Sequence, residues 1–176
     1  FFAGDYKKNI EDVFNNKVLS EDISFYVRNA SINDPTLAPE GHSALYVLVP
    51  VPNCTADVDW HANTDQFKER VISAMESRAE MSDIREHIKE EVVYTPKTWM
   101  DTNIQFGATF NLAHSLNQMM HLRPRNKFED LGNCYLVGGG THPGSGLPTI
   151  YESGRIAANM ISKRHGAVFV SKNTQI

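Results

Sequence analysis

Cysteine is scarce in this sequence: Cys54 and Cys134 stand alone among 176 residues. They match no metal-binding spacing and read as two ordinary thiols of a reducing compartment. His61, His87, His114 and His121 form no HxxxH or HExxH pattern, so no metal site is expected. No apolar run approaches the ~18 residues that cross a bilayer. Positive charge is not in excess, since 17 Lys and Arg face 21 Asp and Glu for a formal net charge of −4. That leaves no electrostatic footprint for nucleic acid. Internal repeats and low-complexity tracts are missing too. The sequence opens on Phe1 rather than Met, so it is silent about a secretory leader.

What is present suffices for one domain-sized core, with 41% hydrophobic residues. Asp5 to Phe14 reads as a helix with Tyr6, Ile10, Val13 and Phe14 on one side. Ile23, Phe25 and Val27 alternate with Ser24, Tyr26 and Arg28, which predicts a half-buried strand. A turn-rich link follows through Asp34-Pro35 and Ala38-Pro39-Glu40-Gly41. Ala44 to Val51 is nearly all apolar and predicts a strand buried on both faces, ended by Pro50 and Pro52. Asn63 to Ala79 reads as a surface helix, with Asn63 as cap and Gln66 at the reciprocal position. Its stripe is Phe67, Val71, Ala74 and Met75, with the stem of Arg78 over the edge. Ile88 to Tyr94 is a further strand candidate, Pro96 opens a short helix containing Trp99, and residues 102–130 are loop-like.

Five of the eleven glycines fall within nine positions, 138–146. They follow an apolar run, Cys134-Tyr135-Leu136-Val137, that reads as a strand, and precede a helix over Leu147 to Lys163. Strand, glycine loop and helix together bring bare backbone amides up to an electron-rich ligand. Glycine permits the close approach, and the helix start supplies unpaired N–H groups and partial positive charge. The same spacing also fits a plain tight turn. Leu147, Ile150, Gly154, Ala157 and Ile161 recur at steps of three and four, so Gly154 and Ala157 place small residues where bulk is usual. Close approach by a backbone or cofactor would explain this, as would tight packing on a sheet. Lys163 and Arg164 suit the negative end of the helix dipole.

The wording of the loop, Gly138-Gly139-Gly140-Thr141-His142-Pro143-Gly144-Ser145-Gly146-Leu147-Pro148, resembles the C-terminal flavin-binding segment of bacterial-type phytoene desaturases, the FAD-dependent carotenoid desaturases. Phe2-Ala3-Gly4-Asp5-Tyr6, Asn33-Asp34-Pro35-Thr36-Leu37-Ala38-Pro39-Glu40-Gly41 and Leu48-Val49-Pro50-Val51-Pro52-Asn53 also resemble segments of that family. Asp59-Trp60, Thr95-Pro96-Lys97-Thr98-Trp99 and the stretch from Gln118 to Arg123-Pro124 follow in the family's order. The likeness extends over about residues 1–165.

That resemblance implies an α/β (mixed α+β) fold: the C-terminal portion of a two-domain Rossmann-type FAD-binding flavoprotein of the amine-oxidase and phytoene-desaturase kind. The N-terminal GxGxxG unit is absent from this chain, so the isolated segment is expected to be inactive. Residues 1–130 would belong to the substrate and interdomain region, 131–165 to the flavin-binding strand, loop and helix, and 166–176 to a tail. The implied cofactor is FAD, with Gly138, Gly139, Gly140, Thr141, Gly146, Leu147, Pro148, Thr149 and Ile150 as its contacts. Gly139, Gly140 and Thr141 would lie along the ribityl and phosphate portion. The amides from Leu147 to Ile150 would stabilise negative charge on the reduced ring, and Pro148, lacking N–H, is tolerated only at a helix start.

The implied activity is that of an oxidoreductase on CH–CH bonds, removing hydride and proton from a C30–C40 polyene such as phytoene or its C30 analogue. The alternatives are a related carotenoid isomerase or saturase, and a non-catalytic truncated remnant. The implied setting is cytoplasmic and peripherally attached to the membrane surface, with quinone or oxygen as electron acceptor. No catalytic acid or base is assigned. His142 offers acid–base chemistry or a hydrogen bond that closes the loop. Arg123 and Arg125 can touch phosphate or fix a loop through carboxylates. Phe106, Phe110, Leu112, Leu116, Met119 and Met120 are ordinary core or the lining of an apolar tunnel, with core favoured for each.

Overall fold

The computed structural model describes residues 1–167. They form two compact units, one of Phe1–Gly107 and one beginning at Ala108. Most of the tail expected from residue 166 lies outside the described residues.

In the first unit, Asp5 caps helix α1 (Tyr6–Glu11) by accepting the Lys8 amide, and the chain continues through a wider π turn over Asp12–Asn16. The turn ends at Lys17, in the left-handed region. The apolar face expected here is only partly right. Val13 is buried, but Tyr6 and Phe14 are exposed, while Asn9 and Asp12 lie inside. The polar pair is buried because each finds partners. Asn9 accepts the Ser24 amide at 3.3 Å, and Asp12 accepts from Lys8 at 2.7 Å, Ser20 at 3.0 Å and Asn16 at 3.2 Å.

Strands β1 (Tyr26–Asn29) and β2 (Leu45–Leu48) pair antiparallel, with Val27 opposite Val47. They make a two-stranded sheet. Ile23 and Phe25 are buried just ahead of β1, and Phe25 exchanges backbone hydrogen bonds with Phe1 in both directions. Strand β2 is not buried on both faces: Leu45 and Tyr46 are exposed, and no further strand of the described residues pairs with it.

Helix α2 (Trp60–Arg78) is one turn longer than its periodicity suggested, because Asp59 rather than Asn63 is the cap, accepting the Ala62 amide at 3.1 Å. Asn63 instead donates its side-chain amide to the Asp59 carbonyl. Phe67, Ala74 and Met75 of α2 join Ile23 and Phe25 in the hydrophobic core, with Val71 packed against it. Arg78 lays its guanidinium 5.1 Å from the centre of the Phe25 ring. A short turn, α3 (Ile84–His87), follows. Ile88 to Tyr94 is not a strand, and Val92, Val93 and Tyr94 are exposed. Helix α4 (Pro96–Asp101) opens on a capping box between Thr95 and Thr98.

Among the described residues, the second unit carries little regular structure before a long helix. Residues 134–137 do not form a strand; Tyr135 makes an isolated bridge with Lys127. Helix α5 (Leu147–Arg164) runs as expected. Its buried line is Ser153 and Ala157, whereas Leu147 and Ile161 are exposed. Beyond the helix's own backbone, no atom of the described residues lies within 4 Å of the position a Gly154 Cβ would take, so close approach by another backbone among them does not explain that glycine. Mixed helix and strand describes the chain, with helix predominating. No helix of the described residues is long and apolar enough to cross a membrane.

Candidate functional site

Three buried polar side chains set the shape of the glycine loop. Arg123 is 2% exposed and spreads its guanidinium over four carbonyls. Nη1 donates to Gln118 at 2.6 Å and Ala113 at 3.1 Å; Nη2 donates to Gly139 at 2.8 Å and Leu112 at 3.1 Å. Asn126 reaches the carbonyls of His142 at 3.0 Å and Leu136 at 3.2 Å, and the Thr141 hydroxyl at 3.3 Å. Ser153, fully buried in α5, accepts the Gly138 amide and donates to the Ile150 carbonyl, both at 2.8 Å. Backbone polar groups taken from water must find such partners. In a segment without sheet or helix, side chains supply them.

Each residue predicted for the site has a definite place. Gly138 adopts φ +112° where the loop leaves the bridge segment, and Gly146 adopts φ +96° as N-cap of α5. Side chains rarely reach either conformation. Gly139 sits close to Asn111 and Ser145: a Cβ there would meet Asn111 Nδ2 and Ser145 Cβ at 3.3 Å. Gly140 also faces Asn111. Thr141 is 6% exposed; its hydroxyl donates to the Gly138 carbonyl at 3.0 Å and accepts from Asn126. That hydroxyl is occupied in shaping the loop.

At the helix start, the first intrahelical bond runs from the Ile150 amide to the Gly146 carbonyl at 2.9 Å. The amide donors left over are therefore those of Leu147 and Thr149, since Pro148 has none and Ile150 is used. Leu147 and Pro148 are exposed, and Thr149 and Ile150 are half-buried. The Thr149 hydroxyl turns back to the Gly146 carbonyl at 2.8 Å.

His142 settles in the loop-closing role. Its Nδ1 donates to the Met120 carbonyl at 2.8 Å, its amide donates to the Pro124 carbonyl at 2.9 Å, and its peptide bond to Pro143 is cis. Arg123 fixes the loop, but through carbonyls rather than carboxylates. Arg125 is exposed and lies 3.8 Å from Glu129. A pair missed in the sequence joins Ser145 Oγ to His114 Nε2 at 2.8 Å. Asn126 and Ser153 were missed as well. The only local hint of Ser153 was its position one residue before Gly154 on the small-residue side of α5.

The residues weighed as core or tunnel lining are neither packed core nor a closed wall within this chain. Phe106, Phe110, Leu112, Leu116, Met119 and Met120 are all exposed. They occupy turns and short 3-10 segments, which offer no periodic face to bury. A shallow cleft in the first unit is lined by Leu19, Glu21, Asn63, Gln66, Phe67 and Arg70, and contains none of the predicted site residues. Cys54 and Cys134 are free thiols, and burial pushes the Cys54 thiol upward.

No family model matches the chain. It is 55% identical over 169 residues to a 4,4'-diapophytoene desaturase (4,4'-diapolycopene-forming) of a Methylomonas species, covering 96% of this chain and 33% of that protein. It is 49% identical over 147 residues to an all-trans-zeta-carotene desaturase of Myxococcus xanthus, covering 83% of this chain and 28% of the relative. A phytoene desaturase (neurosporene-forming) of Rhodobacter capsulatus is 42% identical over 159 residues, covering 89% and 30% respectively. This chain belongs to the carotenoid desaturase family. It spans about a third of the length of the curated relatives it matches. In this carotenoid desaturase segment the glycine loop is thus held by a buried arginine, a buried asparagine and a helix serine.

Proposed function

We propose that the protein to which this chain belongs is an FAD-dependent carotenoid desaturase, and that the loop 138–146 with the first turn of α5 is the part of its flavin site that this chain supplies. The observation that carries the reading is the donor set. The loop ends on the Leu147 and Thr149 amides at the positive end of an 18-residue helix, and a buried guanidinium lies behind Gly139. Amides and a cation without a carboxylate among them suit an anionic, electron-rich group. When bound, FAD supplies the hydride acceptance that the chemistry needs.

The residues that would hold it are Gly138, Gly139, Gly140 and Gly146, through backbone, with Leu147 and Thr149 as amide donors. Pro148 starts the helix, and Ile150 offers its side chain rather than its amide. Thr141 shapes the loop from inside. The wider frame in this reading is a two-domain Rossmann-type flavoprotein whose dinucleotide-binding unit lies elsewhere in the protein. The substrate is a C30–C40 polyene hydrocarbon, phytoene or a C30 analogue, as the relatives' names support. Such a substrate has no polar handle and partitions into the bilayer, so affinity comes from buried apolar area and the enzyme works from the cytoplasmic membrane surface. Quinone or oxygen would take the electrons.

The test is full-length protein incubated anaerobically with phytoene in liposomes and a quinone, with flavin absorbance and chromatographic product analysis. Bound FAD and more conjugated, coloured products are expected. Bound FAD without desaturation would indicate an isomerase or saturase, and absence of flavin would refute the site.

A further inference from the structure

Arg123 combines two features that a loop clamp alone does not require. It holds the glycine loop, and it is a buried full charge. Its guanidinium bonds to four carbonyls, three of them from the 112–118 segment and the fourth from Gly139. Its hydrogen-bond partners among the described residues are all carbonyls, none a carboxylate, and its Nε has no partner among them. Carbonyl dipoles solvate a buried cation in part but do not cancel its charge. Withdrawn from water, such a charge is weakly screened and acts over several ångströms. Asn126, on the same loop, makes a comparable set of hydrogen bonds with no charge at all. A neutral amide therefore suffices as a clamp; the charge at position 123 asks for a second reason.

We propose that Arg123 is a positioning residue of the flavin site. It fixes the conformation of Gly139, and its buried positive charge is compensated when the bound flavin becomes anionic on reduction. The inference rests on the flavin reading above. Arginine suits the task because its planar fork serves several carbonyls at once and stays charged at any working pH. Lysine would keep the charge but not the fork, and glutamine would keep neither.

The experiment compares full-length wild type with Arg123→Gln, Arg123→Lys and Asn126→Ala, recording FAD dissociation constants and flavin midpoint potentials by anaerobic dye-coupled titration. Arg123→Gln is expected to weaken FAD at least tenfold. It should also disfavour the reduced form by a further factor of about ten, a fall of roughly 30 mV for a two-electron couple. Asn126→Ala should weaken FAD while leaving the potential near wild type, because only a neutral clamp is lost. Arg123→Lys should do the same, because charge survives without the fork. Should Arg123→Gln hold no flavin, the Lys variant carries the test. A potential displaced in Lys as far as loss of charge would require overturns the proposal. So does wild-type affinity and potential in Gln, or an Asn126→Ala potential shifted as far as that of Gln. If wild type itself binds no FAD, the flavin reading fails instead, and the two failures are distinct.

Discussion

The two units of this chain are held together by different means. The first has an apolar cluster, Ile23, Phe25, Phe67, Ala74 and Met75, assembled from an extended segment and one face of α2. Among its described residues the second buries a single hydrophobic residue, Ala157, along with the polar Arg123, Asn126, Thr141 and Ser153. Burial of hydrocarbon is nondirectional and tolerates approximate placement. Hydrogen bonds from buried polar groups demand specific partners, and leaving one unmade costs more than making it gains. A unit that must present a bare loop cannot fill that loop with side chains, so it is shaped from behind by polar ones. The contrast explains why glycine and polar residues dominate the part of the chain nearest the proposed cofactor.

The comparison can be broken by substitutions in each unit, read by hydrogen exchange in peptides from that unit. Ile23→Ala should have the largest effect. It removes a side chain that is 1% exposed, at about 2–5 kcal/mol. A cost below about 1 kcal/mol would show that the first unit does not depend on its apolar cluster. Asn126→Ala should destabilise the second unit by roughly 1–3 kcal/mol, since two half-buried carbonyls and a buried hydroxyl lose their donor. A neutral result there would mean that water replaces the amide and that the loop does not need the clamp. Gly138→Ala falls in a similar range, about 1–3 kcal/mol, through backbone strain at φ +112° rather than crowding, because nothing lies within 4 Å of the added Cβ. Asp59→Ala should cost ~1 kcal/mol by removing the cap of α2.

The smallest effect separates the units by pH. The hydrogen bond from Lys8, then those from Asn16 and Ser20, hold the Asp12 carboxyl below its ordinary value of 3.8, against the opposing effect of burial. A depressed folded value means that Asp12 contributes stability above the unfolded value and loses it as pH falls through the folded one. Acid titration of the first unit should therefore show a loss below about pH 4 that Asp12→Asn flattens. An identical acid limb in the variant would assign that loss to other carboxylates.

Local signals carried the elements whose cause is local. Helix α5 was legible from Pro148 at its start and Lys163 and Arg164 at its end, and α4 from Pro96. Helix α2 was read from its stripe, but its start was misjudged: Asn63 and Asp59 are both competent caps, and the choice depends on where the preceding chain enters. Strands fared worse. Ile88 to Tyr94 and Cys134 to Val137 are rich in strand-forming residues, yet a strand exists only where another lies beside it. Ala44 to Val51 found one partner strand among the described residues and packs Val47, Val49 and Val51 against the core, while Leu45 and Tyr46, with no second layer over them, stay exposed. In α1 and the π turn that follows it, the polar residues Asn9 and Asp12 displaced Tyr6 and Phe14 from the interior because Ser20 and Ser24 supplied hydrogen bonds to them.

The sequence by itself determined the family and the position of the glycine loop, since both reside in contiguous residues whose order is the signal. It also determined where the helix after the loop begins, because proline and glycine constrain backbone angles without help from distant residues. Only the tertiary structure decided that Thr141 faces inward and that Arg123, Asn126 and Ser153 shape the loop. Each of those facts rests on a partner more than two residues away in the chain. A polar side chain carries no mark of burial until the groups that satisfy it have been brought to it.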